Sequence, residues 1–413
     1  MTRTSDRINK LAASETLEMS QRSSAMRARG IDVINLSVGE TDFFTPLHIK
    51  EAAVKAIGDN YSFYSPVAGF ADLREAIARK LERENGLIYN PEQIVVSNGA
   101  KQAVCNVLLS IIDPGDEVIV PAPYWVSYVE MVGLAGGVSV IVRAGIERDF
   151  KITPAQLEAA ITPRTRAIIL CSPSNPTGSV YSRAELESLV DILACYPSVT
   201  VISDEIYEHI NYTGAHHSPA GFESIRRRTV VVNGVSKAYA MTGWRIGFIA
   251  APYRIAAACN KLQGQYTSGA CSVSQKAAVA AFDGDQGCVA AMCEAFRRRR
   301  DMVVALCSKI PGMETNTPEG AFYLFPKVDS YFGARPAAGA TDTPASTATI
   351  IGNAADLSMY LLESAHVATV GGAAFGAPEH IRLSYATSDA NITEAISRIA
   401  HALSLLEPTG RLT

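Results

Sequence analysis

A chain of 413 residues, 48% hydrophobic and 19% charged, has the balance of a compact folded protein and the length for two or three domains. Its net charge of −4, from 37 Lys plus Arg against 41 Asp plus Glu, argues against a main role in neutralising nucleic-acid phosphates. No run approaches the roughly 18 apolar residues of a membrane span, and the N-terminus, with Asp6, Glu15 and Glu18 and no apolar block, fits neither a signal nor a transit peptide.

Residues 17–29 are helical in composition and stop at Gly30, where a C-cap residue belongs. From about residue 50 to 300, short β-branched runs alternate with amphipathic stretches. The runs predict strands at Ile94–Ser97, Glu117–Val120, Val138–Val142, Ala167–Cys171, Thr200–Ser203, Thr229–Val232 and Ile246–Ala250. Helical patterns such as Gln102–Ile112 and Arg183–Leu193 lie between them. This alternation predicts an α/β fold with a mainly parallel sheet sandwiched by helices.

The text then changes character. A helix over Glu294–Cys307 leads into mixed α+β sequence with strands at Ala321–Phe325 and Ile381–Ser384. Residues 333–349, rich in Gly, Ala, Pro and Thr, read as a surface loop without chemistry. The predicted organisation is an arm over 1–48 that shares in a small domain, a large domain over 49–300 and a small C-terminal domain over 301–413. Eight cysteines, at 105, 171, 195, 259, 271, 288, 293 and 307, form no C-x-x-C pair. They read as small buried hydrophobes in a reducing compartment, which predicts a cytoplasmic protein; nothing in the text suggests a metal site. The sequons at Asn211 and Asn391 are then chance matches.

Four segments stand at predicted strand ends, where open α/β sheets gather their ligands. The first is Asn98-Gly99-Ala100-Lys101, a small-residue turn opening a helix, which suits a phosphate but resembles many βα turns. The second is Ser172-Pro173-Ser174-Asn175-Pro176-Thr177-Gly178, by itself a turn. The third is Asp204-Glu205-Ile206-Tyr207, in which Asp204 alone is as readily a helix N-cap as a functional carboxylate. A Mg²⁺ site there would need a G-x-x-x-x-G-K-[ST] partner, and the chain has none, nor a G-x-G-x-x-G. The fourth is Ser236-Lys237, followed eight residues later by Arg245. A partly desolvated lysine becomes an amine able to form a Schiff base.

In this order and spacing, the runs PYWVSY at 123–128, SPSNPTG at 172–178, SDEIYEH at 203–209, SKAYAMTGWRIG at 236–247 and RLSYATS at 382–388 are specific. Over nearly the whole chain they resemble the class I aminotransferases of the pyridoxal-phosphate fold-type I superfamily. The resemblance is greatest to the bacterial aspartate/prephenate subgroup.

It implies pyridoxal 5′-phosphate as cofactor, with Lys237 as the Schiff-base lysine that also moves a proton at the substrate α-carbon. Asp204 would hold the pyridine nitrogen protonated. Tyr207 and Asn175 would bond the ring's phenolic oxygen, and Trp125 would stack on the ring. Gly99, Ala100, Lys101, Ser236 and Arg245 belong to the cofactor cradle, with Arg245 the bidentate phosphate element. Tyr64, in FYSPVAG, would reach the neighbouring subunit's phosphate, which implies a homodimer with shared sites.

Arg382 and the backbone of Gly39 would grip the substrate α-carboxylate, while Lys101 and Thr16 would take a distal one. The implied reaction is ping-pong transfer from L-aspartate or L-glutamate to 2-oxoglutarate or oxaloacetate, with prephenate a further acceptor. Small-molecule amino and 2-oxo acids are the expected partners, and neither nucleic acid nor membrane is. The same machinery also serves aromatic or alanine aminotransferases, carbon–sulfur β-lyases and cofactor-sensing regulators, the last with a fused basic module that this chain lacks. Gly371-Gly372, where Pro-Gly is common before Phe-Gly, departs from the family pattern and implies a looser closing segment.

Overall fold

The computed structural model describes residues 3–337 and 350–408. All seven predicted strands of the large region form one sheet. Its spatial order is Ile94–Ser97, Gly247–Ala250, Thr229–Gly234, Thr200–Asp204, Thr165–Cys171, Glu117–Ala122 and Val138–Arg143. Every neighbouring pair is parallel except the two made by Gly247–Ala250, which runs antiparallel to both its neighbours.

The central strands are buried on both faces, and a period of two divides their side chains. Val95, Val118, Ile169, Val230 and Ile249 face helices Ala100–Ile111, Ser127–Leu134 and Tyr253–Tyr266. On the other face Val96, Val231 and Phe248 meet helices Ala71–Asn85 and Ser272–Asp283, while Ile168, Leu170 and Val201 meet Arg183–Ala194. Each full strand–helix layer therefore excludes water from the strands, and the polar residues are pushed to the strand ends.

The C-terminal region carries a three-stranded antiparallel sheet of Val370–Gly371, Ile381–Ser384 and Tyr323–Leu324. The last of these is shorter than the predicted Ala321–Phe325. Ala321 has a positive φ of 54°, and its carbonyl accepts from the Tyr212 and Tyr385 hydroxyls instead of a ladder partner. Ile381–Ser384 forms as predicted. Helix Gly287–Cys307 runs through residue 300, and its Phe296, Val303 and Cys307 pack with Leu324, Leu357 and Ile396 of the C-terminal region.

The arm is threaded through the same region. Ile34–Asn35 pairs in parallel with Val367–Ala368, and the Leu36 carbonyl accepts the Ser384 amide at 2.8 Å. Residues 37–39 are thereby laid beside Arg382. Of the expected loop at 333–349, Ala334–Pro336 is a short strand paired with Leu406–Pro408, and residues 338–349 lie outside the described residues. No described helix is long and apolar enough to cross a membrane.

Candidate active site

The carboxyl ends of Thr165–Cys171, Thr200–Asp204 and Thr229–Gly234 open onto a cleft of about 370 Å³. Pro173 and Pro176 shape the loop after the first of these strands and turn Asn175 inward. Asp204, only 3% exposed, closes the second strand. Its Oδ2 accepts the Tyr128 hydroxyl at 2.6 Å and its Oδ1 the Ile206 amide at 3.3 Å. Burial pushes its carboxyl up to about 6, with the Tyr128 and Ile206 bonds working against the rise. A further cationic donor in the cleft would bring it back to the ionised form.

Lys237 stands just beyond the third strand, half-buried, with Nζ donating to the Gly39 carbonyl at 2.6 Å. Its ammonium also lies 5.8 Å from the Tyr207 ring centre. Burial brings its pKa down to about 8; the neighbouring Arg382 and Arg245 add to the fall, and Glu40 and Asp204 oppose it. About a tenth of the amine is then unprotonated at pH 7, far more than of an ordinary lysine, as a nucleophile requires.

Arg382 is 2% exposed, and its guanidinium lies 4.7 Å and 4.9 Å from the ring centres of Tyr323 and Phe375. Nη1 donates to Asn175 Oδ1 at 2.9 Å and Nη2 to the Ser37 carbonyl at 2.5 Å, and among the described residues Nε has no partner. Among the described residues no carboxylate pairs with it. A buried, always-charged group without a counter-ion is costly unless an anion arrives, so this arrangement is built for a carboxylate ligand.

An anion site of a different kind lies across the cleft. Helix Ala100–Ile111 begins at Gly99 with no side-chain cap for its first amides, and its first residues, Ala100 and Lys101, line the cleft. Gly99 has φ 83°, and a Cβ there would overlap the Arg245 guanidinium, so only glycine lets the two meet. Arg245 is held by the carbonyls of Thr242 at 2.9 Å and Asn98 at 3.2 Å, and Ser236 joins it in the lining. Two guanidinium nitrogens, free amides and a hydroxyl together suit a phosphate dianion.

Lys101, Trp125 and Thr16 line the outer wall. The Lys101 ammonium lies 5.0 Å from the Trp125 ring centre, and burial, then Arg245, lowers its pKa. Thr16 Oγ1 is buried without a hydrogen-bond partner among the described residues. Tyr207 is buried, which raises its phenol well above the usual value, and its hydroxyl is 2.7 Å from that of Tyr323. Of the fourteen residues expected at the site, twelve line this one cleft. Gly99 adjoins it through Arg245, while Tyr64 stands away from it and is 99% exposed.

Among the lining residues without a role in the sequence reading, Tyr128, Tyr323, Glu40 and Thr242 make side-chain hydrogen bonds at the site. Tyr128 lies inside the PYWVSY run, three residues after Trp125, and the two rings meet edge to face with centres 5.4 Å apart. Tyr323 has no local signal, because it meets Tyr207 across 116 residues of chain. Glu40 and Thr242 hydrogen-bond each other at the cleft mouth and link the arm to the loop after Lys237.

A family model described as aminotransferase class I and II matches residues 31–399. The chain belongs to this aminotransferase family. It is 48% identical over 408 residues to a bifunctional aspartate aminotransferase and glutamate/aspartate-prephenate aminotransferase of Petunia hybrida, covering 98% of this chain and 83% of that one. An aspartate/prephenate aminotransferase of Nitrosomonas europaea is 46% identical over 409 residues, covering 97% and 99%.

Two crystal structures of aspartate aminotransferases share the fold. That from Rhizobium meliloti superposes with a TM-score of 0.92 at 42% identity, covering 98% of this chain and all of that one. That from Thermus thermophilus with maleate gives 0.88 at 40%, covering 97% of this chain and all of that one. As a class I and II aminotransferase, this chain is a pyridoxal-phosphate-dependent transaminase of fold type I.

Proposed function

We propose that this aminotransferase moves the amino group of L-aspartate or L-glutamate to a 2-oxo acid such as 2-oxoglutarate or oxaloacetate, in two alternating half-reactions. Prephenate is a further acceptor. The observation that carries this reading is Arg382, a buried guanidinium with no carboxylate partner among the described residues, lining the same cleft as the amine of Lys237. The names of the relatives support the substrate, and maleate, present with the Thermus thermophilus enzyme, is itself a four-carbon dicarboxylate.

The residues fit pyridoxal 5′-phosphate: an anion cradle at Gly99 and Arg245, a lysine of lowered pKa, and a buried carboxylate. When bound, the cofactor supplies an aldehyde that condenses with amines and a ring that accepts the electron pair left at the α-carbon. Ser236, Arg245 and the first amides of the helix after Gly99 hold its phosphate. Asp204, kept in place by Tyr128, pairs with its pyridine nitrogen; the ion pair formed there offsets the burial that raises Asp204.

Trp125 walls one face of the ring, and Tyr207 and Asn175 serve its phenolic oxygen. Lys237 would be the amine that holds the cofactor, and its Nζ would move the proton at the substrate α-carbon. Arg382 and the Gly39 amide bind the α-carboxylate, orienting that carbon toward Lys237. Lys101 and the unpartnered Thr16 hydroxyl take the distal carboxylate.

Tyr64, exposed in a single chain beside exposed Phe63, serves the phosphate of a second copy, so the working unit is a homodimer. In this reading residues 49–300 bind the cofactor, and 1–48 with 301–413 close over the substrate in a cytoplasmic enzyme. The test is kcat/KM for a panel of amino donors with 2-oxoglutarate. Preference for aspartate over alanine and phenylalanine supports the reading, and preference for an apolar donor refutes its dicarboxylate part.

A further inference from the structure

Three groups of the proposed site converge on a lining residue to which the proposed function gives no role. Tyr323 is 1% exposed, on the strand paired with the end of Ile381–Ser384. Its ring centre lies 4.7 Å from the Arg382 guanidinium carbon. Its hydroxyl packs against Gly39, where a Cβ would overlap it, and sits 2.7 Å from the Tyr207 hydroxyl. Among the described residues no backbone carbonyl or charged group takes that hydroxyl's proton, and its hydrogen-bond partner is Tyr207. The charged groups facing the pair are Arg382 and Lys237, with the Cys171 thiol beside them.

From this geometry we infer that Tyr323 is a positioning residue: its hydroxyl donates to the Tyr207 oxygen and thereby commits the Tyr207 proton to the cofactor's phenolic oxygen. This rests on the function proposed above. A phenol between two acceptors can point its proton either way; a donor on its oxygen removes the choice. Its ring at the same time gives Arg382 an aromatic face, so one side chain fixes both the carboxylate grip and the proton direction on the cofactor side.

The test compares Tyr323→Phe, Tyr207→Phe and the double variant, reading the pH midpoint of the bound cofactor's visible absorption. A donor on the phenolic oxygen stabilises its negative charge, so losing the donor moves the midpoint up. The isosteric Tyr323→Phe keeps the ring packing and should shift it upward by about 0.4–1 unit, the span set by one ordinary hydrogen bond.

Tyr207→Phe should shift it at least as far, and adding Tyr323→Phe to it should shift it no further, because Tyr323 acts only through Tyr207. An unmoved midpoint in Tyr323→Phe, or additive shifts in the double variant, overturns the inference while leaving the cofactor site standing. Absence of any lysine-dependent visible band in the unaltered protein overturns the site reading itself.

Discussion

Replacing Arg382 with alanine removes the buried guanidinium of the cleft and leaves its two stacking rings in place. The proposed gain of this residue is a two-pronged grip on the α-carboxylate, with one prong for each Nη nitrogen. Charge-assisted hydrogen bonds contribute about 1.5–3 kcal/mol each, so losing both costs about 3–6 kcal/mol of transition-state binding. That corresponds to roughly 10²–10⁴-fold in kcat/KM.

Every amino donor carries an α-carboxylate, so the loss must be shared by aspartate, alanine and phenylalanine. Arg382→Lys keeps the charge but not the planar fork and should fall between the two extremes. The assay is steady-state kcat/KM for the three donors with 2-oxoglutarate, accompanied by cofactor titration to verify that the cradle at Gly99 and Arg245 is intact. A loss below tenfold, or one confined to aspartate, refutes the assignment and moves the α-carboxylate elsewhere.

Lys101→Ala should cost aspartate far more than alanine or phenylalanine in the same assay; equal losses would return Lys101 to phosphate binding or structure. Tyr128→Phe removes the shorter bond to Asp204 and should lower kcat about tenfold or more and weaken cofactor affinity, since hydrogen bonds to charged groups contribute about 1.5–3 kcal/mol; unchanged affinity and kcat would show that Asp204 needs no second support. In the cofactor-free protein, Asp204 at about 6 binds more protons folded than unfolded above the ordinary carboxyl value, so its contribution to stability falls as pH rises from about 4 to about 6. Lys237 at about 8 binds fewer protons folded, so its contribution rises with pH from about 8 to about 10. Urea unfolding across pH should show both slopes, with Asp204→Asn flattening the acid one; an unaltered acid slope in that variant would remove Asp204 as its source.

Much of the fold was legible because burial on both faces leaves a plain signature. Ile94–Ser97 and Thr229–Gly234 open on continuous β-branched runs, Ile94–Val96 and Thr229–Val232, bounded by polar or glycine positions. Such runs carry no direction, so the antiparallel course of Gly247–Ala250 could not be read from them. Lys237 and Asp204 were legible as polar residues at apolar strand ends, and their roles only through the family resemblance. What lay hidden depends on contacts between distant segments. The arm's pairing with Val367–Ala368, which places Gly39 next to Lys237, is of this kind, and so are the bonds of Tyr128 to Asp204 and Tyr323 to Tyr207. The missing counter-ion of Arg382 is likewise a property of everything around it and of no local pattern.

The central claim is that Lys237 and Arg382 serve one amino acid at one cofactor. Its most direct test is the visible spectrum of the purified, cofactor-loaded protein during sequential addition of substrates. The account predicts a pH-dependent band that L-aspartate abolishes and 2-oxoglutarate restores, and that Lys237→Ala lacks from the start. A band that aspartate leaves untouched, or one that persists unchanged without Lys237, would contradict it.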